Sequence, residues 1–117
     1  MRLGETYLLL AEAQLMQGKA ADAAASLNIL RRRAAFPGKE AQMEITPAQA
    51  TIEFLREERE RELLGEQHRW FDLKRWGILV ERVRLHNPQA AANIKDFHVL
   101  RPIPQVQIDR VTGGSQA

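Results

Sequence analysis

A chain of 117 residues with 44% hydrophobic and 27% charged side chains has single-domain length and ordinary globular composition, which excludes global disorder, collagen-like repeats and low-complexity sequence. A net charge of +2 is too weak a field to imply nucleic acid or anionic lipid as a partner, and the absence of cysteine excludes disulfides, thiolate nucleophiles, Cys-ligated zinc, iron–sulfur clusters and a lipid-anchoring thiol. No run approaches the ~20 apolar residues that span a bilayer, and Met1 opens directly into an amphipathic pattern.

Over residues 2–17, Leu3, Tyr7 and Leu10 and the parallel set Leu8, Ala11 and Leu15 recur at spacings of three and four, which predicts a mostly buried helix. Gly18 supplies the residue that most often follows a helix C-terminus, and a second helix is expected over 19–35 with Ala20, Ala23, Ala24, Leu27 and Leu30 on one stripe. The alanines are strong helix formers and let the two helices of this hairpin approach closely. Arg31, Arg32 and Arg33 place cations at the negative end of the helix dipole before Pro37 and Gly38 stop the helix.

A loop over 36–45 precedes Thr46, Pro47 and Gln49, which spell an N-cap, a first-turn proline and the glutamine of a capping box. The third helix is expected to start there and run to about residue 64, with Ile52, Phe54, Leu55 and Leu63 apolar, and to close at Gly65. A fourth is expected over 68–85, bent at Gly77, with Trp70, Leu73 and Val80 and the set Trp76, Leu79 and Val83 at helical spacing. It stops before Asn87 and Pro88. Residues 89–95 read as a short helical turn, and 97–108, where apolar residues alternate around Pro102 and Pro104, as extended chain lying on the helices. The expectation is an all-α domain of helical hairpins with a short extended C-terminal segment over 1–110, followed by a flexible tail over 111–117 that contains Gly113, Gly114 and Ser115.

The densest charge run holds Glu58 and Glu62 one helical turn apart, the placement of an acid–base pair. The competing reading is a solvated or internally paired helix, because Glu57 and Arg61 stand at i, i+4 and Glu58 and Arg61 at i, i+3. His68, His86 and His98 belong to no metal-binding spacing pattern, and no nucleophile elbow, Walker loop or dinucleotide fingerprint is present, so catalytic and metal residues are set at none. Arg31 to Arg33 with Arg82 and Arg84 form a possible phosphate patch, against which helix-end capping competes. Trp70 and Trp76 read as core aromatics rather than stacking platforms. Arg69, Asp72 and Arg75, spaced at i, i+3, read as a buried polar clamp in which one carboxylate is flanked by two guanidiniums.

The string EERERELLGEQHRWFDLKRWG, residues 57–77, resembles the signature of the SusD/RagB family of outer-membrane nutrient-binding proteins of Bacteroidetes-type bacteria. The matching positions are Glu58 with Arg59, Glu62 with Leu63, Glu66, Arg69, Phe71 with Asp72, and Arg75 with Trp76 and Gly77. Two further segments agree in order and spacing. RLGETYLLLAEAQL, residues 2–15, is similar to the helix entering that family's final hairpin, and HVLRPIPQVQID, residues 98–109, to its extended C-terminal stretch.

The resemblance covers nearly the whole chain and corresponds to the C-terminal part of a family member, which is usually several times longer. It implies tetratricopeptide-like hairpins in a lipid-anchored protein that sits as a lid on a TonB-dependent, SusC-like transporter and captures oligosaccharides or other nutrients without catalysis or cofactor. The chain departs from the pattern in lacking a signal peptide and lipobox cysteine, so that export and lipidation are not expected of it as written, and in ending VTGGSQA where the family has an Asn-Pro-Gly-Tyr type ending. Because glycan-contacting aromatics in such proteins vary by member and often come from outside this segment, the resemblance assigns no ligand-binding residue here. Two other readings compete: a free-standing tetratricopeptide-like adaptor that binds a peptide or protein partner in its groove, and a small nucleic-acid binder that uses the arginine clusters.

Overall fold

The computed structural model describes residues 2–112, and all regular structure among them is helical. The elements are α1 (Leu3–Met16), α2 (Ala20–Ala34), α3 (Glu40–Met43), α4 (Ile52–Glu62), α5 (Arg69–Arg75), α6 (Leu79–His86), α7 (Pro88–Ala91), a 3₁₀ turn (Asp96–Val99) and α8 (Gln105–Thr112). The all-α expectation holds. The chain divides into two compact units, Met1–Arg69 and Trp70–Ala117.

In the first unit, α1 packs on α2 and on α4. The turn between α1 and α2 forms because Gly18 adopts φ +74, which lets its N–H bond to Leu15 O at 3.0 Å and the Lys19 N–H bond to Gln14 O at 2.9 Å. This paired closure satisfies carbonyls that the helix end would otherwise leave open. Leu8 and Ala11 of α1 interlock with Ala23, Ala24, Leu27 and Leu30 of α2, and Leu55 of α4 completes the cluster with Ile45, Ala50 and Leu63. Leu8, Leu27 and Leu55 are wholly buried, each contributing roughly 2 kcal/mol by removal of apolar surface from water. The loop after α2 is tied back by the buried Asn28, whose amide donates to Ile45 O at 3.0 Å and accepts from Ile45 N at 2.8 Å.

The second unit starts within α5. Gly77, at φ +71, ends that helix with the same double closure, Gly77 N to Lys74 O and Ile78 N to Leu73 O, both at 3.0 Å. After it α6 packs on α7 and on the 3₁₀ turn. Asn87 caps α7, its side chain accepting from Ala90 N at 3.1 Å with Pro88 in the first turn.

Four boundaries differ from the sequence expectation. Of the expected Thr46–Gln49 capping box only one half forms, Thr46 N donating to Gln49 Oε1 at 2.9 Å, while Gln49 N donates to the Thr46 carbonyl and a single turn results. Thr51 is the true cap of α4, in extended conformation with its hydroxyl accepting from Phe54 N at 3.1 Å, and the restart lets Ala50 bury itself in the core. A one-turn α3 occupies part of the expected 36–45 loop. Gly77 terminates a helix instead of bending one, since a residue with positive φ cannot continue the right-handed spiral. Finally, the extended segment is confined to 101–104, because the Pro104 carbonyl accepts from Gln107 N and Ile108 N and so initiates α8. Of the tail expected at 111–117, Val111 and Thr112 end α8, and residues 113–117 lie outside the described residues.

Candidate functional site

Helix α4 turns Leu55, Glu58 and Glu62 to one stripe, at i, i+3 and i+7. Leu55 enters the core and Glu58 is buried, while Glu62 keeps only a small part of its side chain exposed. A buried carboxylate requires compensating donors, and α2 and the start of the chain supply them. Glu58 Oε2 accepts from Arg31 Nη1 and Arg61 Nη2, each at 2.8 Å, and Arg31 also donates from Nε to Met43 O. Glu62 Oε1 accepts from Arg2 Nη1 and from Arg33 Nη2, both at 2.5 Å. Arg2 makes two further bonds, from Nη2 to the Glu62 carbonyl and from Nε to Glu66 Oε1 at 2.7 Å.

Five side chains, Arg2, Arg31, Arg33, Glu58 and Glu62, thus link the start of α1, the end of α2 and the length of α4. The guanidiniums of Arg31 and Arg61 also lie over the Phe54 ring, 5.3 and 5.6 Å from its centroid, a placement that favours the cation on both. Hydrogen bonds with Glu62 and then Glu66 raise the Arg2 pKa above its ordinary value. For Arg61 burial opposes the charge, and bonds with Glu58 and Glu57 more than restore it, so its pKa is raised as well. One oxygen of each carboxylate, Glu58 Oε2 and Glu62 Oε1, is held by two guanidiniums, which is the chemistry of helix cross-linking.

The other sequence candidates fall around this network. The expected pairs Glu57–Arg61, at 3.4 Å, and Glu58–Arg61 both form. All three arginines of the α2 terminus are matched to carboxylates, Arg32 to Glu44 at 2.8 Å, and Arg84 faces the exposed Asp96 at 3.3 Å. Arg82 lies half-buried on α6. Helix-end placement foreshadowed the arginines' position but not their partners, because those carboxylates come from elements distant in sequence. Arg33 and Glu62 on facing helix ends, and Arg2 before α1, were the only available signal.

The Arg69–Asp72–Arg75 clamp divides. Arg75 pairs with the buried Asp72 at 3.3 Å, whereas Arg69, at the first position of α5, turns back to Glu60 of α4 at 2.8 Å. His68 Nδ1 stands 3.6 Å from Glu5, His98 Nδ1 accepts from Lys95 N at 2.8 Å, and His86 ends α6 in solvent. Trp70 is not a core residue: 37% of it is exposed, and it lines an open pocket. Trp76 is half-buried beneath the Arg75 guanidinium, 5.2 Å from its ring. The core reading rested on helical spacing over 68–85 with a bend at Gly77, and the full break there separates Trp70 and Leu73 from Val80, and Trp76 from Leu79 and Val83.

The profile of the SusD family matches residues 1–117. SusD-like protein P25 of Formosa agariphila is 36% identical over 123 residues, which cover 99% of this chain and 23% of that protein, so the chain spans about a quarter of the length of the curated relative it matches. No solved structure matches significantly. Because the match runs through every residue that the ion-pair network uses and extends over both structural units, the chain belongs to the SusD family.

Proposed function

We propose that residues 1–110 serve as the C-terminal helical region of a non-catalytic, nutrient-binding component of a TonB-dependent outer-membrane uptake system, with an oligosaccharide as ligand and a SusC-like transporter as partner. The observation that carries this reading is the fate of the signature residues. Glu58, Glu62, Glu66, Arg69, Asp72 and Arg75 are all engaged in ion pairs within the chain, as expected of a scaffold that leaves recognition to other surfaces. Membership of the SusD family supports it further. Among the described residues no helix is long and apolar enough to cross a membrane, so in this reading the protein is held at the outer membrane by its transporter or by a lipid.

The test is to tag the C-terminus at the chromosomal locus, fractionate the cells, and titrate the purified product with oligosaccharides. An outer-membrane product that co-purifies with a TonB-dependent transporter and binds an oligosaccharide supports the proposal. A cytosolic product that binds none overturns it. A second reading, a tetratricopeptide-like adaptor for a peptide or protein, is favoured by the apolar residues that α1 leaves exposed, Leu3, Leu10 and Met16. Binding of a peptide that is abolished by Leu10→Glu would select it.

A further inference from the structure

The second unit holds a concave pocket of about 370 Å³, outside the ion-pair network and within the size range of small-ligand sites. Its walls are almost wholly apolar, formed in part by Trp70 of α5, Ile94 after α7 and Leu100. An indole left this open inside a concavity is a flat surface on which a ring gains contact area and loses water.

The polar side chains of the pocket are Asn93, His98 and Arg101, and Arg101 is the charged one among them. Arg101 lines it and is exposed, and its guanidinium makes no ion pair among the described residues. That guanidinium is nonetheless positioned, lying 5.2 Å from the centroid of the Phe71 ring. His98 spends Nδ1 as an acceptor for Lys95 N–H, so the neutral imidazole carries its proton on Nε2 and donates from there. An uncompensated planar cation recognises a carboxylate, and a lining that is mostly hydrocarbon leaves most hydroxyls of a sugar without partners.

We propose that this pocket binds a small aryl carboxylate, its ring on Trp70, its carboxylate at Arg101, and His98 Nε2–H as the second donor. The site is independent of oligosaccharide capture, because a polyhydroxylated ring would leave hydroxyls unpaired against Ile94 and Leu100.

The experiment is a titration of the full 117-residue chain, ¹⁵N-labelled, with 2-naphthoate, with the neutral 2-naphthalenemethanol and with glucuronate. Saturable shifts are expected at the Trp70 indole N–H and the Arg101 amide with 2-naphthoate, and roughly tenfold weaker binding of the alcohol. Arg101→Gln should reduce 2-naphthoate to the level of the alcohol without changing the alcohol, while Arg101→Lys keeps most of the preference. Both variants alter an exposed side chain, and an otherwise unchanged spectrum confirms that each is folded. The absence of saturable shifts at these residues, equal affinity for acid and alcohol, or tighter binding of glucuronate than of 2-naphthoate would each overturn the proposal.

Discussion

Gly4 and Glu62 are so closely apposed that a Cβ added to the glycine would stand 2.7 Å from the carboxylate Oε1, and 2.6 Å from the Arg2 Nη1 that binds it. The first turn of α1 therefore uses a poor helix former where the ion pair needs space. Gly4→Ala should raise helix propensity by up to about 1 kcal/mol, less so near the terminus, yet displace the Arg2–Glu62 pair. We expect a net loss of stability in wild-type background and a smaller one in Arg2→Ala background, where only the Glu62 oxygen held by Arg33 still opposes the methyl group. A double-mutant cycle by urea denaturation reads both, and additivity would mean that the pair is not what the methyl group displaces.

Burial separates the ion pairs that matter from those that do not. Glu58→Ala leaves the mostly buried Arg31 guanidinium uncompensated and should cost about 3 kcal/mol. Glu44→Ala removes a carboxylate whose partner Arg32 is about half exposed, and should change stability by less than about 0.5 kcal/mol. The Arg2 pKa is raised in the folded state, so its contribution is fully present below the unfolded-state value and is lost only as pH rises through the raised one. Urea midpoints followed from neutral to mildly alkaline pH should show no loss from this source.

The two threonines before α4 are distinguishable by substitution. Thr51→Ala removes the acceptor for Phe54 N–H and should destabilise by about 1 kcal/mol. Thr46→Ala removes only a side-chain contact to Gln49, while the Thr46 N–H keeps its bond to Gln49 Oε1, so the change should be no more than a few tenths of a kcal/mol. A larger loss of melting temperature in Thr46→Ala than in Thr51→Ala would place the functional cap at Thr46 instead.

Gly77 has open space where a Cβ would go, so the cost of replacing it is one of backbone alone. Gly77→Ala at φ +71 should lose about 1 kcal/mol. An unchanged melting temperature would indicate that α5 and α6 join into the single helix that the apolar spacing suggested.

The α1–α2 hairpin was legible because its determinants are local: a glycine at the turn and a stripe of alanines and leucines with helical period. The break at Gly77 was half-legible, since a glycine inside a periodic stretch marks either a bend or an end, and only the Ile78 N–H to Leu73 O bond decides. Helix α8 was hidden because Val106 and Ile108 alternate as in a strand and two prolines precede them. The network at Glu58 and Glu62 was least visible. Carboxylates in a charged run look solvated until their partners, brought by the fold from Arg2, Arg31 and Arg33, are seen. Trp70 misled in the opposite sense, as an aromatic at core-like spacing that the helix break leaves on a pocket.

The Arg2–Glu62 bond joins residues 60 positions apart, whereas the Gln14–Ser26 bond of the hairpin spans only 12. Near neighbours meet at a smaller loss of chain entropy, so the hairpin can form before α4 arrives and the arginine clamp closes afterwards. The Arg2–Glu62 pair is then expected to form only after the folding transition state. Stopped-flow measurements should find that Glu62→Gln accelerates unfolding while leaving the refolding rate nearly unchanged, which makes the clamp a determinant of how long the unit persists once folded.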